Sequence, residues 1–198
     1  VGPMTDAHED AVVHARPGLR KKRPDLRIEP LRGNITTRLL KQRDGTFDAV
    51  VLAKAGLKRA RLFDPNRDFD LDPMDFTPAT GQGQLAIETR SDVDLPLDDT
   101  PLSSALDLRL AQVERYFAAE LGFGCHTPAA VWARVHDRRI AVIIDVLKPH
   151  GQESLKIEVP VPLAGNDTDL AVALALAEER GVRAFLAEVQ QEGAASAG

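Results

Sequence analysis

The chain has 198 residues, 43% of them apolar, and a formal net charge of −5, enough for one ordinary domain or two small ones around a real core. No apolar run approaches the roughly 18 residues of a membrane span, and the opening "VGPMTDAHEDAVVHA" lacks the apolar stretch of a secretory signal. A single cysteine excludes an internal disulfide, so a cytoplasmic location is expected.

Residues 1–19 show no periodicity and read as an irregular arm. In "RPDLRIEPL", Leu26 and Ile28 alternate with charged residues, which predicts a strand ending at Pro30. Asn34 then offers an N-cap for a helix with Ile35, Leu39 and Leu40 on its inner side. A turn at Asp44-Gly45 leads to an apolar strand from Ala49 to Ala53, and "AGLKRARL" follows as a short helix. Strand, helix, strand, helix predicts a βαβ unit with parallel pairing.

The Asp- and Pro-rich stretch 63–78 reads as a surface connection. After it, "ATGQGQLAIETR" places a glycine turn before a strand through Leu85 and Ile87. Residues 91–101 form a polar linker and an expected domain boundary. Thr100, with Pro101 behind it, is the expected cap of a helix whose apolar face runs through Leu102, Leu106, Leu110, Val113, Phe117 and Leu121, with Gly122 as its stop. Three strands in an antiparallel meander follow: "AVWARV", "IAVIIDVL" and "SLKIEV". The helix "DTDLAVALALAEERG" ends at Gly181, and "VRAFLAEV" reads as a short strand-like tail.

The expected fold is therefore α/β plus α+β. An arm over 1–19 precedes a partial α/β domain with a crossover segment over 20–94. An α+β domain over 95–193 has helices on one face of a three-stranded antiparallel sheet, and a tail covers 194–198.

Charge is unevenly spread along this plan. Residues 1–15 carry −3, residues 16–61 carry +10 from 14 Lys and Arg against 4 acids, and residues 62–198 carry −12 from 11 against 23. A basic third points to an anionic partner, against the plainer reading of a solvated face. One Trp and one Tyr, with no zinc or RNP-type motif, argue against nucleic acid. A small polyanion fits better.

The lone thiol, Cys125, lies in "LGFGCHTP". A free cysteine is most often a small buried hydrophobe, but Gly122, Gly124 and Pro128 break regular structure and predict an accessible loop. No second cysteine supports a metal site. A Cys–His hydrolase with His136 or His150 as base has no recognisable nucleophile signature here. A covalent anchoring point is the reading that remains.

These residues resemble the hydroxymethylbilane synthase (porphobilinogen deaminase) family. "LGFGCHTP" is similar to its cofactor-attachment loop, and "RPDLRIEPLRGNITTRL", "FDAVVLAKAGLKRARL" and "PATGQGQLAIETR" resemble three further family segments in the same order. The resemblance implies two facing α/β domains, like a periplasmic binding protein, and a smaller α+β domain bearing the cysteine. It also implies a dipyrromethane joined to Cys125 through a thioether, and a transferase that adds four porphobilinogen units to it before hydrolysis releases the linear tetrapyrrole, in heme biosynthesis. Loss of ammonia from porphobilinogen leaves an electrophilic carbon that a soft sulfur captures well. Arg32, Arg38 and Arg59 match arginines that bind the pyrrole carboxylates in the family, where a guanidinium fork meets carboxylate in bidentate fashion. Gly81, Gln82 and Gly83 match the turn that passes close to the cofactor, and Gly124 adjoins the tether.

The pattern is incomplete in three places. The family's Ser-Leu-Lys-Asp segment, whose aspartate stabilises cationic intermediates, has no match, so the catalytic residue is unassigned. The GTSSLRR stretch has none either, and Phe123 stands where a glycine is usual. The expectation is a transferase of this family, either the C-terminal part of one or a shortened form completed by a separate N-terminal polypeptide of the same enzyme. The alternatives are a non-catalytic dipyrromethane- or tetrapyrrole-binding module, or a truncated remnant with an unmodified Cys125. No nucleic-acid or membrane partner is expected.

Overall fold

The computed structural model describes residues 18–19, 21–85, 87–88, 90, 92, 104–124, 127–149 and 153–195. In chain order these hold α1 (Ile35–Arg43), α2 (Lys54–Arg59), α3 (Ala105–Glu120), β1 (Ala129–His136), β2 (Arg139–Leu147), β3 (Ser154–Pro162), α4 (Asp167–Glu179) and α5 (Val182–Ala195).

The sheet is a meander in the order β1-β2-β3, antiparallel throughout. Asp137 and Arg138 join β1 to β2 with φ of 47° and 61°, the left-handed pair that a two-residue hairpin requires to match strand twist. Alternation then sorts the side chains. Val131, Ile140, Val142, Ile144, Val159 and Val161 point to one face, where α3, α4 and α5 cover them with Val113, Phe117, Leu170, Leu174, Val182 and Leu186.

The opposite face of β2 is also buried: Ala141, Ile143, Asp145 and Leu147 are each at most 5% exposed. Part of its cover comes from the N-terminal half of the chain. Thr77 is hydrogen-bonded to Asp145, Lys156 reaches the Met74 carbonyl, and Lys21 reaches Ser154. A methyl group added at Gly18 would touch both Phe76 and Leu147. Met74 and Thr77 are therefore tied by hydrogen bonds to the C-terminal sheet.

Asn34 caps α1 as expected, its side chain accepting from the Thr37 N–H, and Leu39 is buried while Leu40 is exposed. Helix α2 stands where "AGLKRARL" placed it, starting at Lys54. A Cβ at Gly56 would lie 2.7 Å from Ile35 Cδ1, so the absent side chain lets α1 and α2 approach closely.

Several expectations are corrected. The stretches 26–30, 49–53, 85 and 87 belong to no strand, and no parallel pair occurs among the described residues. Extended chain becomes a strand only with a hydrogen-bonded neighbour. Leu26, Val51, Leu85 and Ile87 are instead exposed. Helix α3 is capped by Ser104, which accepts from the Asp107 N–H; Thr100, Pro101 and Leu102 lie outside the described residues. Leu106 is exposed, since it sits in the first turn before α3 reaches the sheet. The tail read as a strand is helix α5, because Val182, Leu186 and Val189 recur at spacings of four and three and all are buried. Among the described residues no helix is long and apolar enough to cross a membrane.

Candidate functional site

Helix α3 organises the site. Its apolar face runs Leu110, Val113, Phe117 and Leu121, and Glu114 falls within that stripe, 6% exposed. A carboxylate so placed must find donors. Oε2 accepts the Gly81 N–H at 2.8 Å and Oε1 accepts the Ala133 N–H at 3.0 Å. Burial pushes the Glu114 carboxyl above the ordinary carboxylate range, and the Ala133 and Gly81 amides oppose the shift. The Val131 N–H is met in the same way by Thr80 Oγ1 at 2.9 Å. Thus Val131 and Ala133 on edge strand β1 both donate to groups outside the sheet, which protects that edge.

The glycine turn hangs from this carboxylate. Gly81 and Gly83 have φ of 73° and 86°, a region open to glycine and costly for other residues. Gln82 N donates to Ala79 O at 2.9 Å and Gln84 N to Gly81 O at 3.0 Å, so two tight turns follow one another. Gln82, in the turn expected to pass close to a cofactor, folds its amide oxygen back onto the Ala79 N–H at 3.1 Å. Its carbonyl oxygen therefore shapes the turn.

Eight residues beyond Glu114, or roughly 12 Å along a helix axis, Gly122 ends α3 with φ of 70°. Gly124 N donates to Thr127 Oγ1 at 3.0 Å and Thr127 N donates to Gly124 O at 2.9 Å. The residues on either side of positions 125 and 126 are thereby tied together. Cys125 and His126 lie outside the described residues. Of the two histidines weighed as a base, His136 stands at the far end of β1, seven residues and about 23 Å of strand from Ala129, beside Asp137. His150 is outside the described residues.

The basic residues occupy the helix pair. Arg32 is exposed just before Gly33, Arg38 is half-buried in α1, and Arg59 is exposed at the end of α2. Arg38 Nε donates to the Gly33 carbonyl at 2.7 Å, which fixes the base of its fork. Contact between Ile35 and Gly56 brings the helices carrying Arg38 and Arg59 together.

Two residues of the site were not singled out from sequence. Glu114 interrupts an apolar helical stripe, and Asp145 interrupts "IAVIIDVL"; a carboxylate at an apolar position is the signal that would have found both. Thr77 and Thr80, their partners or neighbours, have no such mark.

Fold and site together define a mixed α/β protein whose glycine turn is held by the same helix that precedes the cysteine in the chain. Residues 13–96 match the family model described as porphobilinogen deaminase, dipyromethane cofactor binding domain, a match that begins inside the expected arm and spans Arg32, Arg38, Arg59 and Gly81–Gly83. The chain is 37% identical over 155 residues to the probable porphobilinogen deaminase of Methanosarcina mazei, covering 74% of this chain and 46% of that protein. It is 38% identical over 176 residues to the porphobilinogen deaminase of Chromobacterium violaceum, covering 88% and 56%, and 40% identical over 159 residues to that of Albidiferax ferrireducens, covering 80% and 49%. The chain belongs to the porphobilinogen deaminase family, and its matched stretch is by family a dipyrromethane-binding domain. It spans about half the length of the curated relatives it matches.

Proposed function

We propose that this chain is the tether-bearing part of a hydroxymethylbilane synthase-like transferase, with porphobilinogen as substrate and dipyrromethane held through a thioether at Cys125. The observation that best supports this reading is the placement of Arg38 and Arg59 on two helices in contact through Ile35 and Gly56, inside the stretch that matches the dipyromethane-binding family model. The donor set fits the group. Each pyrrole unit carries an acetate and a propionate, and guanidinium forks bind carboxylates in bidentate fashion.

When bound, dipyrromethane supplies the pyrrole carbon at which four porphobilinogen units are joined head to tail. Cys125 holds the growing product at high effective concentration. Arg32, Arg38 and Arg59 bind and orient carboxylates. Gly81 and Gly83 present backbone with no side chain, which permits close approach of a planar ligand. The Gly124–Thr127 closure fixes the two ends of the tether loop.

The test is porphobilinogen turnover by this chain alone and with the N-terminal half of a relative added. Turnover that appears in the mixture and is lost in Cys125→Ser supports the transferase. An adduct on Cys125 without turnover in either case replaces it with a non-catalytic dipyrromethane-binding module.

A further inference from the structure

Asp145 sits in the central strand, 4% exposed, on the sheet face turned away from α3, α4 and α5. A carboxylate in that position needs compensation. Lys156, its direct cross-strand partner on β3, places Nζ 2.9 Å from Asp145 Oδ2. The same oxygen accepts from Thr77 Oγ1 at 2.6 Å, a hydroxyl that is itself buried, at 3% exposure. Lys156 Nζ also donates to the Met74 carbonyl at 2.8 Å. One cross-strand ion pair therefore grips a single short segment at two points, Met74 and Thr77.

That segment leads directly into the glycine turn. Thr77 is four residues before Gly81, and the next anchors along the chain are Thr80 on the Val131 N–H and Gly81 on Glu114. The sheet thus fixes this stretch from its open face through Asp145 and from its β1 edge through Thr80. An apolar residue at 145 would bury as well in this strand, but would leave the Thr77 hydroxyl without this acceptor.

We infer that Asp145 is a positioning residue for the Gly81–Gly83 turn. Paired with Lys156, it sets the path of residues 74–80 so that the turn stays fixed to the domain whose helix α3 leads into the Cys125 loop. Its functional meaning rests on the proposed tetrapyrrole chemistry; the geometry does not.

Hydrogen exchange of the whole chain separates the two. In Asp145→Ala, which removes the acceptor, the amides of Gly81, Gln82 and Gln84 should exchange at least tenfold faster, with β2 and β3 amides unchanged. The double variant Asp145→Leu with Lys156→Met, which replaces the ion pair by apolar groups, should show the same local loss with its Tm retained, and it decides the matter if Asp145→Ala does not fold. Unchanged protection over 77–84 in a folded variant, or a loss spread equally over the sheet, overturns the inference. Local loss of protection in a chain that never acquires a dipyrromethane adduct keeps the pin and removes the proposed function instead.

Discussion

Glu114 Oε2 accepts the Gly81 N–H at 2.8 Å, so a turn in the middle of the chain is held by a carboxylate on the helix that leads to the lone cysteine. The other oxygen is on Ala133, and each oxygen faces a donor. Glutamine at 114 cannot serve both, because its NH₂ would point at one of the two N–H groups. Glu114→Gln should cost about 1–3 kcal/mol, the desolvation of one buried donor left unsatisfied. Urea unfolding checks this, and an unchanged midpoint contradicts it.

The same residue gives a pH dependence. Burial raises the folded-state value of Glu114 above its unfolded value, so between the two the folded chain holds a proton that the unfolded chain has lost. Stability contributed by this group is therefore full below the ordinary carboxylate range and declines as pH rises through the raised value. The difference in unfolding free energy between the wild type and Glu114→Gln should shrink as pH rises through that window. A difference that grows with pH contradicts the assignment.

Gly122 carries φ of 70°, and a Cβ there would meet nothing within 4 Å. The cost of Gly122→Ala is therefore backbone strain alone, about 1–2 kcal/mol, with Asn cheaper than Ala because it tolerates the left-handed region better. Thermal unfolding of both variants measures the order.

Arg59 is exposed at the end of α2. Arg59→Ala should leave Tm unchanged and weaken binding of porphobilinogen, with a smaller salt dependence than the wild type. Lys at this position should recover charge but lose bidentate geometry, and so recover binding only in part. Full recovery by Lys would show that Arg59 acts as a point charge and not as a fork.

Local signals in the sequence survived folding, and signals that depend on distant partners did not. Asn34 as a cap, Gly122 and Gly181 as stops, and the three-strand meander are written in neighbours a few residues apart, and each stands in the structure. The strands expected at 26–28 and 49–53 needed a parallel neighbour that no local pattern supplies. The last helix has no clear local signature, because "VRAFLAEV" is too short for its period to separate helix from strand. Arg32, Arg38, Arg59 and the Gly81–Gly83 turn were singled out through resemblance to family segments alone. Glu114 and Asp145 are marked only as carboxylates at apolar positions, and their partners lie 33 and 68 residues away, beyond any local pattern.

The central claim concerns one sulfur atom. Intact mass of the chain after incubation with porphobilinogen should show a single addition of two porphobilinogen units less two ammonia, absent from Cys125→Ser and mapping to the peptide that contains residue 125. An unmodified wild-type mass, or an addition that survives Cys125→Ser, would contradict it.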